Sequence, residues 1–256
     1  MTGLTANDEG YCVELADHVL EARQVVIATG PFQVPRIPEV ADELDPGIVQ
    51  VHSAGYRNPA QIPAGPVLVV GGGNTGYQIA EELSATHEVH LSVGSRQAPL
   101  PQRVLGIDLF RILGRLGAMR KTVHSRLGRR LRDRETLIGS SPRKARRLGI
   151  RLRGRTTGAD GSTIRFADGS ALTTRAVIWA TGFTRDHGGI DVPVLDAGGA
   201  PVHDRGVTSA AGLYFLGLPW QHTRGSALLG WVQDDARHIT DRMAALAAAA
   251  PVAVAA

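Results

Sequence analysis

Apolar and polar residues alternate over 11–23, YCVELADHVLEAR, and predict a hairpin that turns near Ala16-Asp17-His18. The apolar run QVVIATGPF (24–32) predicts a buried strand ending at Thr29-Gly30-Pro31. Pro31, Pro35 and Pro38 then exclude regular helix and make a stiff, extended connection. Residues 49–65, VQVHSAGYRNPAQIPAG, are punctuated by Pro and Gly and predict a second irregular stretch. The period changes at 67. VLVV is apolar throughout, as in a parallel strand covered on both faces. A helix over 75–86 places Ile79, Ala80 and Leu83 on one face, and HEVHLSVGSR (87–96) predicts the next strand and its exit.

The segment 111–155 predicts helices broken at Gly114, Gly117, Gly128 and Pro142. GIRLRGR, STIRFADGSALTT and RAVIWATGF predict strands, with Asp168-Gly169 as a hairpin turn. GLYFLGLPW (212–220) predicts a strand and turn, and 225–246 predicts one long helix. One element occurs twice. VVIATGPF (25–32) and VIWATGFT (177–184) are both apolar strands ending in Ala-Thr-Gly, each after a hairpin with an acidic turn. The repeat predicts two nucleotide-binding units of one type.

Between the strand at 67–70 and the helix stands Gly71-Gly72-Gly73-Asn74-Thr75-Gly76, a G-x-G-x-x-G in strand-to-helix context. Gly71 is expected to make the tight turn, Gly73 to admit a pyrophosphate to the backbone, and Gly76 to let the helix pack on the strand. The helix N-terminus then offers N–H groups and partial positive charge to phosphates. NAD sites place a carboxylate at the end of the second strand to hold the ribose 2′-hydroxyl. Here that strand ends SVGSRQ, with Ser92, Ser95 and Arg96 and no acid, while Glu88 comes too early. An arginine pairs bidentately with a 2′-phosphate. The pattern therefore predicts NADPH rather than NADH.

With 256 residues, 43% of them hydrophobic, the chain suffices for one large or two small cores. The single cysteine, Cys12, excludes a dithiol-disulfide mechanism within one chain, and is read as a buried strand residue in a reducing, cytoplasmic compartment. No signal peptide or transmembrane stretch is expected. Net charge is +4, with much of the Lys and Arg in 111–155. That block lacks the interleaved aromatics that stack on bases. It is read as a solvated helical face beside a phosphate-rich cofactor, and nucleic acid is not an expected partner.

VVIATGPF, HSAGYRNP, VLVVGGGNTGYQIAEEL, LSVGSR, VIWATGF and GLYFLGLPWQHTRGSALLGWVQDDARHI stand in the order found in flavin-containing-monooxygenase-like flavoproteins, including bacterial oxidoreductases named for a supposed role in cation transport. The chain resembles that family from about residue 10 to 245. The resemblance implies an α/β, Rossmann-like flavoprotein with two dinucleotide-binding domains. Residues 63–183 would be an NADPH domain inserted in an incomplete FAD domain, 1–62 and 184–256. Gly71, Gly73, Asn74, Thr75, Gly76, Ser95, Arg96, Thr181 and Gly182 would lie at NADPH. Thr29, Gly30, Gly217, Arg224, Ser226 and Ala227 would lie at FAD, which would be held only if the missing N-terminal segment is supplied.

In the resembled family a first fingerprint, which holds the FAD pyrophosphate, precedes the hairpin, and this sequence begins at the hairpin. The helix expected from 226 would turn its N-terminal dipole toward the flavin, or simply pack through Leu228, Leu229, Val232 and Ile239. His52-Ser53-Ala54-Gly55-Tyr56 matches the His-x-x-x-Tyr tail of the monooxygenase signature, with Pro46-Gly47-Ile48 where an aromatic and a glycine are usual. It makes His52, Arg57 and Asn58 the catalytic candidates. The implied reaction is hydride transfer from NADPH to FAD, after which, in oxygenating members, O₂ gives a flavin hydroperoxide that oxygenates a small, soft or carbonyl substrate. The rival expectation is a non-catalytic NADPH-binding remnant. Expected partners are a small-molecule substrate and either a second copy or a chain supplying the missing FAD half, with no membrane.

Overall fold

Five strands running in one direction form the central sheet of the fingerprint half, in the order Arg151–Arg153, Glu88–Ser92, Pro66–Val70, Ala176–Trp179, Val49–His52. The computed structural model describes residues 1–95, 97–132 and 136–249. Contacts group them into two units: 34–112 with 133–184, and 1–33 with 113–132 and 185 onward. Residues 34–62, assigned by sequence to the first FAD segment, group by contact with the fingerprint unit.

The fingerprint strand is apolar throughout because both of its faces are covered. Val67 and Val69 enter a cluster with Tyr77, Ile79 and Leu83 of the helix Asn74–Leu83. Leu68 and Val70 enter another with Ile164, Phe166 and Trp179. This is the period-two alternation of a strand, with apolar residues on both sides. Each such side chain contributes roughly 1.5–3 kcal/mol on burial, so the strand is held chiefly by its own core contacts. The second cluster lies under a three-stranded antiparallel meander, Thr156–Asp160, Thr163–Phe166 and Ala171–Thr173. Its last connection carries the expected Asp168-Gly169, with Gly169 at φ +81°.

The stretch 49–65 is not wholly irregular. Val49–His52 is an edge strand parallel to Ala176–Trp179, with His52 level with Trp179. Gln50 fixes it from the side: its Oε1 accepts from Trp179 Nε1 at 2.9 Å, and its Nε2 donates to the Ala41 carbonyl at 3.0 Å.

In the other unit the predicted hairpin is present, as Gly10–Glu14 against Val19–Ala22. A further strand, Gly3–Asn7, extends it to a meander, and Ile190–Asp191 joins parallel to that strand. Val25–Ile27 pairs in parallel with Leu213–Phe215. The repeat in the sequence is thus a repeat in structure. Each unit has a three-stranded meander, then a strand, then Ala-Thr-Gly with its glycine in the left-handed region, Gly30 at φ +68° and Gly182 at +83°.

The long C-terminal helix starts later than its periodicity predicts. It spans Val232–Ala249, and 225–231 is a chain of turns. Leu229, expected in the core, is 97% exposed. Ser226 explains the break, since its buried Oγ accepts from the backbone N–H groups of His222 and Thr223 at 3.1 and 2.9 Å. Asp234 and Asp235 then occupy the first helical turn, where carboxylates suit the macrodipole.

Candidate dinucleotide site

The fingerprint glycines are fixed by what a side chain would meet. Gly71 leaves the strand at φ +137°, and a Cβ there would fall inside 3.0 Å of the Ala180 carbonyl oxygen. A Cβ on Gly76 would fall inside 3.0 Å of the Gly71 carbonyl oxygen. Gly73 differs: a Cβ there would meet nothing within 4 Å. Its backbone, at φ −79° and ψ 178°, suits any residue, so packing does not demand glycine. Gly73 caps the helix without a side-chain hydrogen bond, and no acidic residue stands in the first turn. The loop is thus an open cradle of backbone at a helix N-terminus, the form that accepts a pyrophosphate. It stands where the chain order reverses, between the carboxyl ends of Pro66–Val70 and Ala176–Trp179, the crevice in which open parallel sheets bind ligands. An open cleft of about 570 Å³, lined by Ile62, Pro66, His87 and Glu88, lies at the opposite, amino ends of the strands.

Asn74 turns its side chain inward. Its Nδ2 donates to the Thr136 carbonyl at 3.0 Å and its Oδ1 accepts from Ile138 N–H at 2.7 Å. Any share it has in phosphate binding therefore falls to its backbone N–H. Thr75 and Ser95 are exposed, and Arg96 lies outside the described residues. Ser92 Oγ donates to the Gly154 carbonyl at 2.9 Å and accepts from Thr156 N–H at 3.1 Å, so it serves the sheet.

Thr181 and Gly182 are held by Arg36, which the sequence did not single out. Arg36 Nε donates to the Thr181 carbonyl at 3.1 Å, its backbone N–H donates to the Gly182 carbonyl at 3.0 Å, and Thr181 Oγ1 donates to its carbonyl. His52 completes this clasp. Its Nδ1 accepts from Ala54 N–H at 3.1 Å, which leaves the proton on Nε2 to be donated to the Gly182 carbonyl at 3.0 Å. The ring packs edge-on to Phe183 at 4.9 Å. Asn58 Oδ1 caps a short 3₁₀ turn by accepting from Ala60 N–H at 3.1 Å, and Arg57 is exposed. The structure thus gives His52 and Asn58 structural hydrogen bonds. Tyr56 donates to Glu82 Oε2 at 3.2 Å, and burial together with that carboxylate pushes its phenol up to about 12.

In the other unit Gln33, also not anticipated, clamps the first Ala-Thr-Gly. Its Nε2 donates to Thr29 Oγ1 at 2.6 Å and to the Gly30 carbonyl at 3.0 Å, and its Oε1 accepts from Asp186 N–H at 2.6 Å. Gly217 sits at φ +81° with open space where a Cβ would be. Ser226 is committed to the turn described above, and Ala227 lies in the turns before the helix, so neither starts a helix. Arg224 N–H donates to the Lys121 carbonyl at 3.3 Å. The same unit holds a largely buried ion pair, Arg205 with Asp235, that the sequence did not single out. Asp235 Oδ1 accepts from Arg205 Nε at 2.9 Å, while His203 and His222 are held below the usual imidazole range by burial.

A strand, an open glycine cradle and a helix at the switch point of a parallel sheet, with the meander-strand-Ala-Thr-Gly unit built twice, define a two-dinucleotide-binding-domain flavoprotein fold. The solved flavin-containing monooxygenase of Stenotrophomonas maltophilia matches it at TM-score 0.70 and 23% identity, over 95% of this chain and 69% of that one. Lactococcus lactis thioredoxin reductase matches at TM-score 0.58 and 13% identity, over 96% and 73%. Residues 1–104 match the family described as pyridine nucleotide-disulphide oxidoreductase. A CzcO-like oxidoreductase of Geobacillus kaustophilus is 44% identical over 239 residues, 92% of this chain and 69% of the relative. The CzcO oxidoreductase of Bacillus subtilis is 39% identical over 226 residues, 87% and 66%. The chain belongs to the CzcO-like oxidoreductases of the flavin-containing-monooxygenase-like, pyridine-nucleotide oxidoreductase family, and spans about two thirds of the length of these relatives.

Proposed function

We propose that the chain works in an NADPH-dependent flavoprotein oxidoreductase of monooxygenase-like type. The observation that carries this reading is the cradle at Gly71-Gly72-Gly73. Gly71 and the following Gly76 are required by the fold, and a Cβ on Gly73 would meet open space. Its geometry suits a pyrophosphate, and the lack of a carboxylate at the end of the second strand suits a 2′-phosphate. When bound, NADPH supplies a hydride and FAD accepts it. The protein's part is to place and hold the cofactors. The N–H groups of Asn74, Thr75 and Gly76 would orient the pyrophosphate, with the helix dipole favouring its charge. Arg36 and His52 would hold the Thr181-Gly182 backbone beside the cradle in one conformation. On the flavin side, Gly30 and Gly217 would let the backbone approach FAD closely, and Gln33 would hold Thr29-Gly30 in place.

The test is the visible spectrum of the purified chain, followed by anaerobic addition of NADPH. Flavin bands that NADPH bleaches would support the flavoenzyme reading. Flavin bands that persist with NADPH would reject hydride transfer. A colourless chain that binds NADPH would favour the non-catalytic NADPH-binding reading.

A further inference from the structure

We infer that Arg155, in the two-residue link after the strand Arg151–Arg153 that pairs with the fingerprint's second strand, is a residue that reads the 2′-phosphate of NADPH. This rests on the reading of the cradle as an NADPH site, and adds a specificity residue that the fingerprint does not contain. In a Rossmann-like sheet, the adenosine ribose of a nucleotide on the first loop lies at the carboxyl end of the second strand. Here that end is Ser92, followed by Val93, Gly94 and Ser95. The Arg155 guanidinium lies against this exit. A Cβ on Gly94 would meet its Cζ, Nε and Nη2 each at 3.4 Å, and its Nη2 donates to the Gly94 carbonyl at 3.3 Å.

The position is built rather than incidental. Ser92 Oγ bonds the backbone on both sides of Arg155, at the Gly154 carbonyl and the Thr156 N–H. The Arg155 carbonyl accepts from Ala167 N–H at 2.8 Å. The backbone is therefore fixed on three sides while the side chain stays exposed and keeps donors for an anion. Gly94 has no side chain to displace it.

Among the described residues, neighbouring charged groups are already occupied. Arg153 donates to His90 Nδ1 at 3.1 Å and lies over the Phe166 ring. Asp168, the acid on the adjacent turn, uses Oδ1 to accept from both the backbone N–H and the Oγ of Ser170. A guanidinium offers a forked pair of donors to a phosphate, where lysine offers a point charge and a 2′-hydroxyl gains little.

The experiment compares Arg155→Ala and Arg155→Lys with the wild-type chain by isothermal titration calorimetry. The ligands are 2′,5′-ADP, 5′-AMP, NADPH and NADH, and circular dichroism confirms the fold. Losing a charge-assisted contact should weaken 2′,5′-ADP and NADPH about ten- to hundredfold in the alanine variant and less in the lysine variant. The affinities for 5′-AMP and NADH should stay within about twofold, because neither carries the phosphate. If the wild type prefers NADPH and both variants keep that preference, Arg155 is not the reader and the cofactor reading survives. If the wild type shows no preference for NADPH, the cofactor reading and this inference fall together.

Discussion

The carbonyl oxygen of Gly71 occupies the space that a side chain on Gly76 would need. Two residues of the fingerprint are thereby locked to each other by backbone contact, before any nucleotide is considered. Gly73, between them, has no such neighbour. Gly76→Ala must push backbone against backbone and should destabilise the chain by about 1–3 kcal/mol, the usual cost of overpacking. Gly73→Ala should melt like the wild type yet lose NADPH affinity, since its methyl group would stand in the cradle. Thermal melts and NADPH titrations of the two variants check the contrast. Equal losses of stability would contradict it.

His52 holds the Gly182 carbonyl with one ring nitrogen and the Ala54 N–H with the other. His52→Ala should therefore remove two hydrogen bonds, although the Gly182 carbonyl keeps the Arg36 N–H, at a cost of about 1–3 kcal/mol. His52→Gln, which still carries one donor and one acceptor, should recover part of that loss. The pH profile of flavin reduction per folded molecule should be unchanged in the glutamine variant. A rate lost without loss of stability would return His52 to the chemistry.

The fingerprint strand and helix are legible in the sequence because an all-apolar run, a glycine pattern and a 3.6-residue period agree there. Val49–His52 is not, because four alternating residues become a strand only through pairing with Ala176–Trp179, more than a hundred positions away. The start of the last helix misleads for the converse reason. Leu228, Leu229 and Val232 have helical spacing, but Ser226 ties the chain into turns and Leu229 faces solvent. Arg36 and Gln33 are invisible in sequence because their partners are largely backbone groups brought near by the fold. The glycines are visible because the constraint they answer is local.

Arg205 and Asp235 form a largely buried pair, with Asp235 2% exposed and Arg205 also donating Nη2 to the Asp234 carbonyl at 3.0 Å. Removing one partner leaves the other charge without compensation. Arg205→Met should destabilise by about 3–5 kcal/mol, and the double variant Arg205→Met/Asp235→Leu should recover much of it, because apolar replacement of a whole buried pair is often near neutral. Chemical denaturation of the single and double variants measures this. A double variant as weak as the single would show that packing around Ile239, rather than charge, sets the cost.

Stability should fall as pH drops below about 6.5, and His90 should be one source. It is fully buried, and burial holds its imidazole below the usual range. Its Nε2 lies 3.3 Å from Glu88 and its Nδ1 accepts from Arg153, so the neutral ring with its proton on Nε2 satisfies both partners. Because the folded pKa lies below the unfolded one, the unfolded chain binds more protons as pH falls through the unfolded value. The stabilisation is complete above that value and shrinks as pH drops toward the folded pKa, by at most about 1.4 kcal/mol per pH unit for each such histidine. His187, His203 and His222 are lowered by burial in the same way and add to the slope. Asp108 and Asp168, held below the usual carboxylate range, act only at more acid pH. His90→Gln keeps a donor for Glu88 and an acceptor for Arg153 but does not titrate. Its melting temperature between about pH 5 and 8 should therefore follow a shallower slope than the wild type's. Parallel slopes for the two proteins would show that His90 is not among the groups that set it.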